Sequence, residues 1–169
     1  MYVERARGFS AVEVAAAIAI TGAVLAVAVP AFVHELHASK LTEPVSGLEH
    51  IGINAVAYAA AHDAFPPSAP LTPSIVPRGV RVEDPQGTWD APTWKALDFR
   101  PLASDAPHEY SFAFTSAHSP STSSFVTEAH GDLDGDGVTS TFELRGHRGS
   151  GDPGGGEVEP GMYVDAELE

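Results

Sequence analysis

The sequence of 169 residues contains no cysteine and is poor in basic residues. Lysine and arginine together number 9, against 23 aspartates and glutamates, so the formal net charge is −14 at pH 7. Without cysteine no disulfide can stabilise the fold, and a folded region must depend on a hydrophobic core, on neighbouring chains or on a metal. The absence of cysteine leaves open whether the protein is cytosolic or exported.

The scarcity of basic side chains restricts the partners of the chain. Binding to nucleic acid needs basic contacts with phosphates, and docking on anionic lipid headgroups needs clustered lysine and arginine. We therefore expect no direct binding of nucleic acid and no docking on anionic headgroups. An acidic exterior instead favours a soluble, self-repelling surface.

Motifs of common enzyme classes are missing as well. The sequence has no Gly-rich phosphate loop, no Gly-x-Ser-x-Gly sequence and no Cys/His pair. These are the patterns that position phosphates or activate a nucleophile. We therefore expect a protein that is not an enzyme. The length predicts one domain plus a membrane segment.

The longest apolar stretch lies near the N-terminus. Residues 9–33 form a run of 25 residues with one charged side chain, Glu13, and they follow a leader, residues 1–8, that contains Arg5 and Arg7. A helix of that length measures about 37 Å, enough for a hydrocarbon core of ~30 Å. Arginines on the N-terminal side keep that end in the cytoplasm, so the rest of the chain is expected to face outward.

Three interpretations fit this stretch. The first is an ordinary secretory signal peptide cleaved after Ala28, the second is a plain membrane anchor, and the third is a helix retained after cleavage on its N-terminal side. Glu13 separates them, because a carboxylate near the bilayer centre costs roughly 2.5–3.5 kcal/mol on insertion scales. A signal peptide or a bare anchor has no use for that residue.

The string Gly8-Phe9-Ser10-Ala11-Val12-Glu13, followed by an uninterrupted apolar helix, resembles the N-terminus of type IV pilins and pseudopilins. The resemblance covers about residues 5–33, and the family more often has threonine, leucine and isoleucine in place of Ser10-Ala11-Val12. It implies that a prepilin peptidase cleaves between Gly8 and Phe9 and that Phe9 becomes N-methylated. It also implies that Glu13, the fifth mature residue, pairs with the Phe9 amine of a neighbouring subunit during assembly.

The resemblance implies a structural subunit of a type IV pilus or of a type II secretion-like filament. Its partners would be further pilins, the prepilin peptidase and an inner-membrane assembly platform. The precursor would cross the bacterial inner membrane once with its N-terminus in the cytoplasm, and the filament would be periplasmic or extracellular. The alternative is a secreted calcium-binding domain released by signal-peptide cleavage after Ala28.

Beyond the apolar stretch, the pattern predicts an α+β fold. Residues 34–63 continue as an amphipathic helix that kinks or restarts near Pro44 and ends near His62. Its apolar stripe is expected to pack on a sheet. The stripe consists of Leu48, Ile51, Gly52, Ala55, Val56 and Ala59. A long N-terminal helix on a small antiparallel sheet is also the arrangement that the pilin resemblance implies.

Residues 64–169 are expected to form a β head of three or four short antiparallel strands. Residues 110–114 alternate aromatic and small side chains, and residues 162–168 alternate apolar and polar ones with the apolar set pointing inward. The proline-rich residues 66–93 predict an irregular connection. The glycine-rich residues 146–161 predict a flexible loop before the last strand.

An acidic loop carries the most specific chemical pattern of the head. Residues 132–143 place aspartates at positions 1, 3 and 5, glycine at 6 and glutamate at 12, which matches the pattern of calcium-binding EF-hand loops. The expected ligands of a structural Ca²⁺ are the carboxylates of Asp132, Asp134, Asp136 and Glu143 and the carbonyl of Val138. Because the flanking residues predict strands rather than helices, a plain Asp-Gly hairpin turn is the alternative.

Overall fold

The computed structural model describes residues 9–101, 107–149, 151–152 and 154–167, apart from the side chains of residues 33–39. The chain divides into two compact units, Met1–Ser39 and Lys40–Glu169. The first consists of most of helix α1, Ala11–Lys40. The second, called the head below, contains helix α2 (Thr42–His62), the short helix α3 (Pro92–Ala96) and the strands.

Helix α2 begins two residues before Pro44, so that proline occupies the first turn, where backbone N–H groups have no intrahelical partner. The helix ends at His62, and Asp63 follows in the left-handed conformation (φ 62°), with its N–H donating to Ala59 O at 3.0 Å. Both ends agree with the sequence prediction. The predicted stripe is confirmed too, since its members are buried except for the partly buried Val56.

Within its described residues the head contains one antiparallel sheet of six strands. Strands β1 to β5 lie side by side in chain order, and β6 pairs with β4 as well. The central three strands are long and pair without interruption. Strand β2 pairs with β3 from Tyr110↔Gly131 to His118↔Ser123, and β3 pairs with β4 from Thr122↔Gly149 to Gly131↔Ser140. The strand bounds are β1 Ala69–Thr72, β2 Tyr110–His118, β3 Thr122–Gly131, β4 Ser140–Gly149, β5 Glu157–Val158 and β6 Tyr163–Asp165.

The hydrophobic core lies between the sheet and the apolar stripe of α2. Aromatic rings from β2, β3 and β4 fill it, with Phe114 stacked on Phe125 at 5.5 Å and Phe99 edge-on to Phe112 at 4.9 Å. The helix approaches β4 closely at Gly52, where a Cβ atom would lie 2.9 Å from Leu144 Cδ2. An α+β head with a small antiparallel sheet is therefore present, with more strands than the sequence pattern indicated.

Strand β1 was missed because it lies in the proline-rich residues predicted to be irregular. Its residues pair with the aromatic strand β2, Ala69 opposite Phe114 and Thr72 opposite Phe112. The strand is four residues long and lies at the edge of the sheet, where proline is tolerated because one row of N–H groups needs no partner.

The prediction of a flexible loop over residues 146–161 was wrong for much of that range. Residues 146–149 belong to β4, and Glu157–Val158 form β5 on its outer edge. Between them Gly155 is buried, and a Cβ atom there would lie 2.3 Å from Val56 O in α2. Glycine at position 155 therefore allows this connection to pack closely against α2, and the segment is not simply an exposed flexible loop.

The inward alternation predicted for residues 162–168 was wrong too. Among residues 162–167 only Tyr163–Asp165 form a strand, and all three are exposed, including Val164 at 40%. Of the predicted inward set, Met162 is partly buried against the core and Leu168 lies outside the described residues. Strand β6 pairs with the first part of β4, at Thr141, Phe142 and Glu143. Strand β6 lies at the margin of the sheet with its three side chains exposed, so the sequence alternation does not produce a buried face there.

Candidate functional site

The first turn of α1 holds Glu13 in a reciprocal capping box with Ser10. The Ser10 N–H donates to Glu13 Oε2 at 2.7 Å, and the Glu13 N–H donates to Ser10 Oγ at 3.3 Å. Such a pair satisfies two of the N–H groups left free at a helix start. The signal was present in the sequence as Ser-x-x-Glu. Phe9 precedes it and is 87% exposed, whereas Gly8 lies outside the described residues.

The helix that follows is apolar on all its faces. Residues Ala11–Phe32 have a mean hydropathy of 2.3, and none of that stretch is buried. Large side chains such as Ile18, Val24 and Phe32 are more than half exposed. A helix without a polar face needs an apolar environment on every side. Among the described residues, α1 is the one helix long and apolar enough to cross a membrane.

In the head, the aspartate loop between β3 and β4 brings three carboxylates together. Asp132, Asp134 and Asp136 each offer an oxygen, and these oxygens lie within 4.8 Å of one another. One Ca²⁺ with ligands at about 2.3–2.6 Å spans oxygens at such separations. The three aspartates thus meet the geometric requirement that the sequence predicted for them, and the remaining oxygens of a six- to eight-fold shell would come from carbonyls and water.

Backbone amides organise the same loop. The Asp132 carboxylate is buried and accepts from the N–H groups of Gly135 at 2.8 Å and Gly137 at 3.1 Å. Asp134 and Asp136 each accept from the amide two residues later and remain exposed. Such bonds from aspartate side chains to nearby amides also occur in hairpin connections without a metal, so they are compatible with both interpretations of the loop.

The other two predicted ligands lie in different elements, Val138 in the loop and Glu143 in β4. Val138 lies in the loop with an exposed side chain, and its N–H donates to Asp136 Oδ1 at 2.7 Å. Glu143 lies inside β4, opposite Glu128 and Tyr163, and is not part of the aspartate group. Its carboxylate accepts a hydrogen bond from Arg145 Nε. The strand therefore carries Glu143 away from the loop, and an EF-hand shell with this residue at position 12 is not formed.

Arg78 and Gly79, from the connection between β1 and α3, contact the first residue of the aspartate loop. The Gly79 N–H donates to Asp132 O at 2.7 Å, and the Arg78 guanidinium Nε lies 3.7 Å from Asp132 Oδ2. Arg78 therefore offsets part of the negative charge at this end of the head. This contact joins residues more than fifty positions apart, and no local sequence pattern indicated it.

No match to this chain was found among protein-family models, among curated proteins or among solved structures.

A second charged group, missed by the sequence analysis, surrounds Glu43 in α2. The buried Glu43 carboxylate accepts from the backbone N–H groups of Glu109 and Tyr110, each 3.1 Å from Oε1. Burial raises the pKa of Glu43, and these two hydrogen bonds oppose that rise. The neighbouring Glu109 carboxylate is paired with Lys40 Nζ at 2.8 Å and with Arg81 Nε at 3.5 Å.

Proposed function

We propose that the chain is a structural subunit, a type IV pilin or pseudopilin, that is processed between Gly8 and Phe9 and assembles through its N-terminal helix. The observation that carries this proposal is Glu13, the single acidic residue in an otherwise apolar helix start, five residues into the chain that such processing would leave. A pilin-like fold belongs to the same proposal.

The exposure of α1 supports an assembled state. Its side chains are apolar on every face and exposed along the whole stretch Ala11–Phe32. Lipid can cover such a helix before assembly, and the helices of other subunits can cover it in a filament. We place the precursor in the bacterial inner membrane with its N-terminus in the cytoplasm, because Arg5 and Arg7 flank the helix on that side.

The chemistry of Glu13 supports its role in assembly. Cleavage before Phe9 would create a positive amine four residues from this carboxylate in sequence. A carboxylate in an apolar environment gains most from pairing with an opposite charge. The capping box does not compete with this role, because one of the two Glu13 oxygens accepts from Ser10 and the other is free of that bond.

Two substitutions at Glu13 separate its two interactions. Glu13→Gln retains the capping box, in which glutamine replaces glutamate well, but removes the charge. Glu13→Ala removes both. We expect both variants to insert and to be processed, and both to enter filaments poorly, as measured by quantifying sheared filaments against membrane-bound subunit. Normal filament yield from Glu13→Gln would mean that the cap suffices and would remove the charge-pairing role.

The aspartate loop supports a second, compatible proposal: a structural Ca²⁺ in the head. Three carboxylate oxygens within 4.8 Å repel one another unless a cation lies among them, and Arg78 reaches only Asp132. In a head without disulfides such an ion would stiffen the β3–β4 connection. If processing instead followed Ala28, this loop would be the main functional feature of a secreted domain.

A further inference from the structure

His108, two residues before β2, is a buried histidine with an oxygen atom at each of its ring nitrogens. The residue is 2% exposed. Its Nδ1 lies 2.8 Å from the backbone carbonyl oxygen of Tyr110, and its Nε2 lies 2.8 Å from Oδ2 of Asp84. Because a carbonyl oxygen only accepts hydrogen bonds, Nδ1 must carry a proton to make the first contact. The position of the ring therefore depends on acceptors on both sides.

The contact with Asp84 sets the charge of the ring. An ionised aspartate only accepts, so Nε2 must carry a proton as well, and a ring with both nitrogens protonated is an imidazolium. A proton on Asp84 would be the alternative, but in model peptides a carboxyl group gives up its proton more readily than an imidazolium does. A neutral ring has one N–H and can make only one of the two contacts. The observed arrangement of His108 therefore requires the positive charge.

The bond between His108 and Asp84 ties the connection between β1 and α3 to the sheet. Two backbone hydrogen bonds of 3.0 Å join Val82 in that connection to His108. Further along it, Trp89 Nε1 donates to the same Asp84 oxygen at 2.6 Å, and the Trp89 ring packs edge to face on Trp94 with centroids 5.3 Å apart. Asp84 thus links the charge of a histidine to the position of a core tryptophan.

Charged groups of other elements lie near this pair too. Burial raises the pKa of Glu43 in α2, and the charge of His108 is among the effects that oppose that rise. The interaction with Asp84 is different, because it is a direct hydrogen bond to the ring. Further charged groups in this region are Glu109, which is paired with Lys40 and Arg81, and the residues Asp90 and Arg100, which line the same cavity as His108.

We propose that His108 and Asp84 form a pH-dependent clasp, closed while the ring is an imidazolium and opened when the ring loses one proton. The Asp84 side chain is 12% exposed and can turn to water, whereas the Tyr110 carbonyl is fixed in β2, so the contact with Asp84 is the one that breaks. Opening frees Trp89 from its acceptor and loosens the connection over the core. The clasp lies wholly in the head and does not depend on the filament proposal.

The test uses the full chain in nonionic detergent, labelled with ¹⁵N in histidine and tryptophan, and follows NMR signals over about pH 5 to 8, the range in which histidines change charge. Imidazole nitrogen shifts show which ring nitrogens carry a proton, and the indole N–H signal of Trp89 reports its bond to Asp84. The variants His108→Gln and Trp89→Phe assign the two sets of signals. His147→Gln is the matched control, because His147 also lies beside two carboxylates, at 3.3 and 3.6 Å, but is half exposed.

We expect both nitrogens of His108 to carry protons at the acidic end of the range, and the Trp89 signal to shift in the same pH step in which the ring loses one. His108→Gln cannot titrate and should lose this step. Asp84→Asn, which keeps the shape of the side chain without its charge, should shrink it. The step should persist in His147→Gln and in Glu43→Gln, which separates the clasp from the ionisation of Glu43.

The proposal is overturned if one nitrogen of His108 is unprotonated at the acidic end of the range, or if the Trp89 signal does not shift together with the ring. It is also overturned if the full step persists in Asp84→Asn or disappears in Glu43→Gln. Where His108→Gln fails to fold, the wild-type titration and Asp84→Asn decide the outcome.

Discussion

Glu13 illustrates how one side chain can take part in two interactions that different substitutions separate. Its hydrogen bonds to Ser10 stabilise the start of α1 in any environment. Its negative charge, by contrast, has no partner within the described residues and is costly in an apolar setting. A helix cap alone could be made by glutamine, and in the proposed assembly the charge of Glu13 would pair with the Phe9 amine of a neighbouring subunit.

Glu43 shows the opposite situation, a buried carboxylate whose partners lie in the same head. It accepts two backbone N–H groups from the start of β2, where those groups would otherwise be buried without a partner. Burial favours the protonated form of Glu43, since the hydrogen bonds favour the charged form less than burial opposes it. Glu43 therefore supplies a needed hydrogen-bond acceptor, but its ionisation lowers the free energy of unfolding of the head.

The stability of the head should depend on pH through this residue. Because the folded pKa of Glu43 lies above its usual value of 4.5, the folded state binds the proton more tightly than the unfolded state. Its contribution is fully present below pH 4.5 and is lost as pH rises through the folded pKa. We expect Glu43→Gln, which keeps a carbonyl acceptor and cannot ionise, to gain stability relative to wild type as pH rises from about 4 to 7.

Denaturant midpoints measured across this pH range would test the Glu43 prediction. Glu49→Gln is the matched control, since Glu49 is exposed on the same helix and should change the midpoint little at any pH. A constant difference between Glu43→Gln and wild type over the whole range would contradict the account.

At the scale of elements, the aspartate loop is the connection most open to experiment. Its three carboxylates repel one another, so a bound cation should stabilise the head by an amount that grows with the logarithm of the free cation concentration above its Kd. A ligand at ~100 times its Kd adds about 2.7 kcal/mol. We expect chelation to lower the melting temperature of the full chain and Asp134→Ala to abolish that difference.

The control for the loop is Asp165→Ala, which removes an exposed carboxylate on β6 and should leave the effect of chelation intact. A melting temperature that is the same with calcium and with chelator in the wild type would leave the hairpin turn as the sole role of the loop.

The glycine-rich connection between β4 and β5 gives a second prediction for an element. Gly155 has φ +80°, and a Cβ atom would lie 2.3 Å from Val56 O and 2.6 Å from Ala60 N. Gly155→Ala should therefore destabilise the head by about 2 kcal/mol or more, combining backbone strain with a clash against α2.

Gly161→Ala serves as the comparison for Gly155, because Gly161 has φ +94° with nothing within 4 Å of the added Cβ. The Gly161→Ala variant should be destabilised only by backbone strain, by about 1 kcal/mol. Equal losses for the two variants in thermal or denaturant unfolding would show that the approach to the helix does not matter.

Local patterns predicted the two long helices well and the sheet only partly. The stripe from Leu48 to Ala59, with Pro44 and His62 near the ends of α2, determined that helix because side-chain periodicity and chain breakers act locally. Strand β1 depends on pairing with β2 some forty residues later, and the position of Gly155 depends on contact with α2. Such long-range contacts leave no periodic signal.

In the candidate sites, too, the sequence predicted the features set by local spacing and missed those set by long-range contacts. The aspartates of the loop could be predicted because their spacing in sequence brings them together in a turn. Glu143 could not be assigned correctly, because the strand that holds it extends away from the loop. The contacts of Glu43 with residues 109 and 110 join distant parts of the chain and had no signature in the sequence.

At the scale of the whole molecule, the chain combines an apolar helical unit with a strongly acidic head. Removal of the leader, which contains Glu4, Arg5 and Arg7, would change the side-chain charge from −14 to −15. Subunits with this charge repel one another in solution. Assembly would therefore depend on the apolar helices and on the pairing of Glu13, rather than on attraction between heads.

The most direct test of the central claim is the mass of the mature N-terminus in a host with prepilin peptidase. The account predicts a chain that begins at Phe9 and carries one additional methyl group on its amine, with the apolar helix retained. A mature chain that begins at Val29, after cleavage behind Ala28, would contradict it, because the helix and Glu13 would then be absent from the exported protein.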